Sequence, residues 1–334
     1  MTAMDYASAG VDINKEEEAV ASIGDYVKKT LSFREGKVGA PLMGLGHFSG
    51  LVDLGDRALA ISTDGVGTKV LVAKELGTYD TLGIDLMAMN VNDIICIGAT
   101  PIAFVDTISI QRPDPAFMAE IGKGLLEGAR QAEVSIIGGE TATVPDLLTG
   151  DGDGFDLMGT AVGIVDKDRI ITGNAINPGD IVLGLESSGI HSNGLTLARK
   201  AVPKEEYFLL IEPPRIYVKA VLDLLEKVRP TGLAHITGSG LCNLKRLKEG
   251  IGFDLSMPPP LPVFQVIQHY AGADHTEMYR TFNMGVGFVV IVDPADAPVA
   301  RAILSRHHVT YDLGTVTSDG TVTARLSDGS TIHF

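Results

Sequence analysis

Apolar residues in this chain come in short runs that end at glycine-rich polar corners, a pattern that predicts alternating strands and helices. Ala58-Leu59-Ala60-Ile61-Ser62 reads as a buried strand, and Val70-Leu71-Val72-Ala73 resumes the apolar pattern beyond a polar corner. An amphipathic helix is expected over 15–31 and an apolar helical run within 82–99. A strand over 102–106, a helix over 115–132 and strands over 134–137 and 157–165 follow, with an acidic, glycine-rich excursion at 150–154. The chain restarts with a strand at 181–185 and a helix from 195 to about 202. A helix after Pro213-Pro214 runs to 228, and a further strand covers 288–292. Residues 315–334 alternate with period two, and Asp319-Gly320 and Asp328-Gly329 are expected to be hairpin turns.

The best boundary lies at 166–180, around the turn Asn177-Pro178-Gly179-Asp180. Two domains are expected, 1–170 and 171–334, each with its own core, in the α/β (α+β) class. Composition agrees: 45% hydrophobic and 21% charged, with 39 Gly and 16 Pro, suits a compact fold with tight loops, not a disordered or coiled-coil chain. A formal charge of −15 argues against a nucleic-acid partner. It leaves room for anionic small molecules, because a phosphate site needs only a few local donors. No signal peptide and no apolar run of membrane-spanning length is visible, so a soluble protein without a membrane partner is expected. Cys96 and Cys242 sit in apolar sequence without metal-ligand spacing, which points to a reducing, cytoplasmic setting without disulfides.

The chemistry concentrates at the corners. Asp64-Gly65-Val66-Gly67-Thr68-Lys69 sets a carboxylate, two glycines, a hydroxyl and an ammonium between two apolar runs. That set suits a phosphate or metal site, and equally a tight turn with a solvated acid and base. The helical run within 82–99 carries Asp85, Asn90, Asn92 and Asp93, with Asp85 and Asn92 on one face and Asp93 beside them. Buried polar groups need partners, so these residues mark a ligand or metal site, or else structural hydrogen bonds and caps. Glu140 follows Gly138-Gly139 on what reads as a glycine turn at a strand end. Ser187-Ser188-Gly189-Ile190-His191-Ser192-Asn193-Gly194 joins a strand to a helix start, a natural seat for phosphate. Neither the dinucleotide-fold nor the P-loop glycine spacing occurs.

In their order and spacing these segments resemble the phosphoribosylformylglycinamidine cyclo-ligase (aminoimidazole ribonucleotide synthetase) family. The matching stretches are Tyr6 with Ala9-Gly10-Val11-Asp12-Ile13, Thr63 to Lys69, Gly83-Ile84-Asp85-Leu86, Val91-Asn92-Asp93 and Gly138-Gly139-Glu140-Thr141-Ala142. They continue through Ser187 to Gly194, Arg215 to Lys219, His235-Ile236-Thr237-Gly238 and Met278 to Gly287. The resemblance implies an N-terminal α/β domain that builds a β-barrel across a homodimer, and a C-terminal α+β domain. It implies a cleft for ATP and a ribonucleotide, and ring closure of formylglycinamidine ribonucleotide to aminoimidazole ribonucleotide with release of ADP and phosphate. It further implies Asp64 and Asp93 as Mg²⁺ ligands, with Glu140 as a third. Gly65, Gly67, Thr68, Lys69, Asn92, Gly139, Glu140 and Thr141 fall at the nucleotide. Ser188, Ser192 and Asn193 fall at the substrate and His191 at the reacting groups, with K⁺ as a further ion. Three departures stand out. Gly24 follows Ile23 where the family commonly has a lysine, with Lys28 one turn later as a substitute. Thr143-Val144-Pro145-Asp146 replaces Glu-Met-Pro-Gly, and Gly238-Ser239-Gly240 replaces three glycines.

Overall fold

The computed structural model describes residues 13–334, so Tyr6 and residues 9–12 of the matching segments lie outside the described residues. The first half contains α1 (Ile13–Thr30), β1 (Gly50–Asp53), β2 (Arg57–Gly65), α2 (Lys69–Leu76), α3 (Leu82–Ile95), β3 (Thr100–Ile110), α4 (Pro115–Ala132), β4 (Ser135–Thr143) and β5 (Phe155–Asp166). The second contains β6 (Ile181–Glu186), α5 (Leu195–Ala201), α6 (Val218–Leu225), β7 (Gly232–His235), β8 (Gly252–Ser256), α7 (Pro262–Ala271) and α8 (His275–Thr281). It ends with β9 (Val286–Val292), α9 (Ala297–Leu304), β10 (Thr310–Thr317), β11 (Val322–Arg325) and β12 (Thr331–His333). Each half builds one sheet, giving a mixed α/β, two-domain architecture. No described helix is long and apolar enough to cross a membrane.

The first sheet runs β1-β2-β5-β3-β4. Its neighbours are antiparallel except β3 and β4, which are parallel because α4 crosses over between them. Helix α3 packs on one face of the sheet, backed by α4. Along β5 every second residue from Phe155 to Val165 is buried beneath that layer, and the alternating set, including Met158, is not. Ile61 and Met158 on the uncovered face are 40% and 42% exposed, and Ile137 on the edge strand β4 is 69% exposed. The second sheet runs β12-β11-β8-β10-β6-β9-β7, and β9 is buried at all its positions, as a strand covered on both faces must be.

Two expectations change here. Asp328-Gly329 does close a hairpin, between β11 and β12. Asp319-Gly320 does not, because β8 lies between β10 and β11, antiparallel to one and parallel to the other. The turn straddles the start of β8 instead. Gly252 makes room for it, since a Cβ there would come 2.0 Å from Asp319 Oδ1 and 2.6 Å from the Thr321 carbonyl. The Gly138-Gly139-Glu140 segment is likewise no turn. Strand β4 continues to Thr143, in parallel register with β3, whose backbone bonds hold the glycines extended.

Candidate active site

Strand β2 ends in Asp64-Gly65, and the chain turns through Gly67 (φ 63°) and Thr68 into α2. Asp64 is half-buried; its Oδ1 accepts the Gly65 N–H at 2.7 Å, and its backbone carbonyl accepts from Asn90 of α3. The same helix brings up Asp93, whose Oδ1 lies 2.9 Å from His235 Nδ1 at the end of β7. Burial raises the Asp64 pKa, the Gly65 N–H opposes that rise, and the nearby Asp93 charge adds to it. The two acids and His235 therefore share one neighbourhood. The second oxygen of each carboxylate has no partner among the described residues. Two such carboxylates fit Mg²⁺, which commonly takes one or two protein carboxylates and completes its shell with water and phosphate. No group of three or more His, Cys, Asp or Glu side chains placed to hold a metal occurs among the described residues.

A second stripe of α3 has a different task. Asp85, Met89 and Asn92 recur at helical spacing and face the other domain. Lys69 Nζ donates to Asp85 Oδ1 at 2.5 Å and to the Glu212 carbonyl at 2.7 Å, and Ser192 Oγ donates to the same Asp85 oxygen at 2.8 Å. Burial pushes both partners toward neutrality, Asp85 up to about 6 and Lys69 down, and each holds the other's charge in place. Asn92 donates to the Arg215 carbonyl and accepts from the Tyr217 N–H, both at 2.9 Å. Ser188 Oγ donates to the Pro213 carbonyl at 2.6 Å, and Thr68 and Thr196 join their hydroxyls at 3.1 Å. Lys69, Asn92, Ser188 and Ser192, read from the sequence as nucleotide or substrate contacts, are thus committed to bonds within the protein. Lys69 is wholly enclosed, and an enclosed ammonium requires a permanent carboxylate partner.

His191 is the opposite case. It is 1% exposed, and neither ring nitrogen has a partner. Its φ of 60° is left-handed, a conformation costly for a side chain with a Cβ and concentrated at functional sites. Burial drives its pKa well below the usual range, and the nearby Lys69 and Arg215 charges push it further down, so the ring is neutral. Gly287 makes its slot: a Cβ there would lie 2.6 Å from His191 Cε1 and 2.1 Å from Tyr217 Oη. His235 Nε2 is also buried without a partner.

Residues 46–165 match the model for the AIR synthase related protein, N-terminal domain, and residues 177–327 match that for its C-terminal domain. The phosphoribosylformylglycinamidine cyclo-ligase of Pyrococcus furiosus is 52% identical, covering 93% of this chain and 94% of that protein. The one from Methanothermobacter thermautotrophicus is 48% identical, covering 98% and 99%. The chain belongs to the phosphoribosylformylglycinamidine cyclo-ligase family. Its fold extends to more distant solved structures. AaThiL complexed with AMPPCP and TMP superposes with a TM-score of 0.66 at 15% identity, covering 94% of this chain and 96% of that one. Hydrogenase maturation protein HypE in complex with ATP gives 0.62 at 20%, covering 82% and 84%.

Other family-matched positions lie apart from Asp64 and Asp93 within one chain. Asp64 pairs across β5 Gly159 with Asp106, which pairs with Gly139 of β4. Gly139 therefore lies three strands from Asp64, roughly 14 Å away. Glu140, the next residue, turns by strand alternation to the uncovered face and is exposed, as is Thr141. Lys28, the substitute expected near Gly24, is exposed on α1, which packs mainly on the turn that follows it. Sequence reasoning missed Asp106, a half-buried carboxylate whose pKa burial raises and whose Oδ1 lies 2.0 Å from where a Gly139 Cβ would stand. Its signal was a lone acid within the apolar run of β3. The Asp93–His235 bond was also missed; it joins residues 142 positions apart and has no local signature.

Proposed function

We propose that this chain closes the imidazole ring of a purine precursor. In this reading it converts formylglycinamidine ribonucleotide and ATP into aminoimidazole ribonucleotide, ADP and phosphate. The names of relatives about half identical over nearly the whole chain support the reading. The observation that supports it is geometric: Asp93 of the first domain lies 2.9 Å from His235, whose strand β7 pairs with β9 beside Gly287, the residue that makes the slot for His191.

An amide oxygen is a poor leaving group. Attack of that oxygen on the γ-phosphorus expels ADP and leaves a phosphorylated imidate. The amidine nitrogen then bonds to the imidate carbon, the carbon–oxygen bond breaks, phosphate departs, and the nitrogen gives up a proton. The protein's task is positioning and charge neutralisation. Mg²⁺, when bound, supplies charge neutralisation at the phosphates, and Asp64 and Asp93 would hold it. The Gly65 and Val66 N–H groups are taken by Asp64 and the Leu157 carbonyl, so the Gly67 N–H and the Thr68 hydroxyl are the groups that orient phosphate oxygens. Neutral His191 offers one N–H to the activated oxygen, and Asn193 lines the substrate side. Lys69, Asn92, Ser188 and Ser192 hold the two domains in register around these groups. The uncovered sheet face bearing Ile61 and Met158 packs on a second copy, completing a barrel and bringing Gly139, Glu140 and Thr141 to the nucleotide.

The test is ADP release by purified protein with Mg·ATP. It should appear with formylglycinamidine ribonucleotide and stay at background without it. Asp64→Asn should lower turnover about a thousandfold or more while leaving the urea midpoint unchanged. Release that instead requires thiamine monophosphate, or an Asp64→Asn enzyme of normal rate, refutes the assignment.

A further inference from the structure

His235 has no role so far beyond its bond to Asp93, yet its surroundings give it one. The side chain is fully enclosed at the end of β7. An ionised carboxylate can only accept, so the 2.9 Å contact with Asp93 makes His235 Nδ1 the donor. In the neutral ring that fixes the tautomer and leaves Nε2 as a bare lone pair. This atom is buried without a partner, and both nitrogens of His191, whose slot is made by Gly287 beside the β9 partner of His235, are in the same condition. An unsatisfied buried nitrogen is costly, and in the adjoining seam the protein satisfies Asn92 and Ser188 from its own chain. A ligand group that donates an N–H would satisfy His235 Nε2. Phosphate oxygens at neutral pH chiefly accept, whereas an amidine nitrogen carries hydrogens to donate.

We infer that His235 is a substrate-contacting residue whose Nε2, locked as an acceptor by Asp93, receives an N–H from the ring-closing amidine of the ribonucleotide. This rests on the cyclo-ligase reading and adds the residue that orients the attacking nitrogen. Asp93 then serves two functions through its two oxygens, one toward the cation and one toward the imidazole that holds the substrate.

Two replacements divide the ring's functions. His235→Asn keeps an amide N–H near the Nδ1 position for Asp93 and removes the Nε2 acceptor. His235→Gln sets a carbonyl near the Nε2 position. Calorimetry at pH 8 with formylglycinamidine ribonucleotide, and separately with Mg·AMPPCP, reads the two ligands independently. The expected result is ribonucleotide affinity about tenfold weaker in His235→Asn and largely restored in His235→Gln, with Mg·AMPPCP affinity unchanged in both. Normal ribonucleotide binding by His235→Asn overturns the inference. So does a loss confined to Mg·AMPPCP, which would make His235 only a positioning residue for Asp93. Should either variant fail to fold, ¹⁵N-histidine spectra of the unaltered enzyme decide: Nδ1 should be protonated in the free protein, and the Nε2 resonance should move on adding ribonucleotide. An Nε2-protonated ring, or no movement, sinks the proposal. If the unaltered enzyme binds Mg·AMPPCP but no ribonucleotide, the cyclo-ligase reading fails along with this one.

Discussion

Two groups of buried polar side chains meet between the domains, and they differ in one respect. In the seam along α3, Lys69, Asn92, Ser192 and one oxygen of Asp85 find partners within the chain at 2.5–2.9 Å, and of these groups only the second Asp85 oxygen is left bare. A short distance away, His191 has both ring nitrogens bare and His235 has one. The same burial thus serves two ends. Satisfied groups weld the domains, and in the function proposed above His191 and His235 receive the ligand. Polarity inside a core does not by itself mark a site, and neither does a missing partner alone, since His47 lacks one too. The left-handed backbone of His191 and its place beside the Asp93–His235 bond set this cluster apart.

The sharpest way to break this contrast is to remove one member of each group. Lys69→Met leaves the Asp85 carboxylate enclosed and uncompensated, and should destabilise the fold by about 3–5 kcal/mol. His191→Asn leaves no orphaned charge and suits the left-handed backbone, so its urea midpoint should match the parent within about 0.5 kcal/mol. Its ring closure should fall sharply. Urea unfolding beside turnover reads both outcomes. A Lys69→Met protein of full stability that had lost ATP affinity would return Lys69 to the phosphates and dissolve the distinction.

Acid offers a second handle, because histidines with unpartnered nitrogens and the seam carboxylate Asp85 respond to it with opposite signs. His47 carries two unpartnered ring nitrogens; burial and then the Arg246 charge hold its pKa near 4, against 6.5 for an ordinary histidine. A depressed histidine contributes its full stability above pH 6.5, and that contribution is lost as pH falls toward 4. For His47 the loss is roughly 3 kcal/mol at most. His308, also near 4 through burial, acts in the same direction. Asp85, raised from 3.8 to about 6, acts oppositely: the folded state takes up its proton first, so falling pH adds stability over that interval. The parent should therefore lose stability between pH 6.5 and 4, and His47→Gln should lose distinctly less. Equal slopes for the two in urea titrations at pH 8 and pH 4.5 would show that His47 charges freely.

Local chemistry made part of this legible in advance. Helix α4 occupies the predicted 115–132 because Asp114 caps it, accepting the Ala116 and Phe117 N–H groups, while Pro115 opens its first turn. The polar residues of α3 announced that partners were needed, but not which. Asn92 meets Arg215 and Tyr217, more than 120 positions on, and no periodicity encodes that. The Asp319-Gly320 turn misled for the same reason. Its own residues suit a hairpin, and the insertion of β8 between its arms is decided by distant pairing.

The smallest effect tests the margin between the two groups. Thr68 stands at the start of α2, half-buried, sharing its hydroxyl with Thr196 across the domains at 3.1 Å. It belongs to the seam by this bond and to the phosphate corner by its place after Gly67. Thr196→Val removes the seam partner alone and should cost about 0.5–1.5 kcal/mol of stability, since the freed Thr68 hydroxyl can turn to water. Mg·AMPPCP affinity should hold or improve slightly, because the hydroxyl is released toward the phosphates. Thr68→Val should show a similar stability loss together with weaker nucleotide binding. If the two variants bind the nucleotide alike, Thr68 belongs only to the seam, and the boundary between welded and waiting groups falls at Gly67.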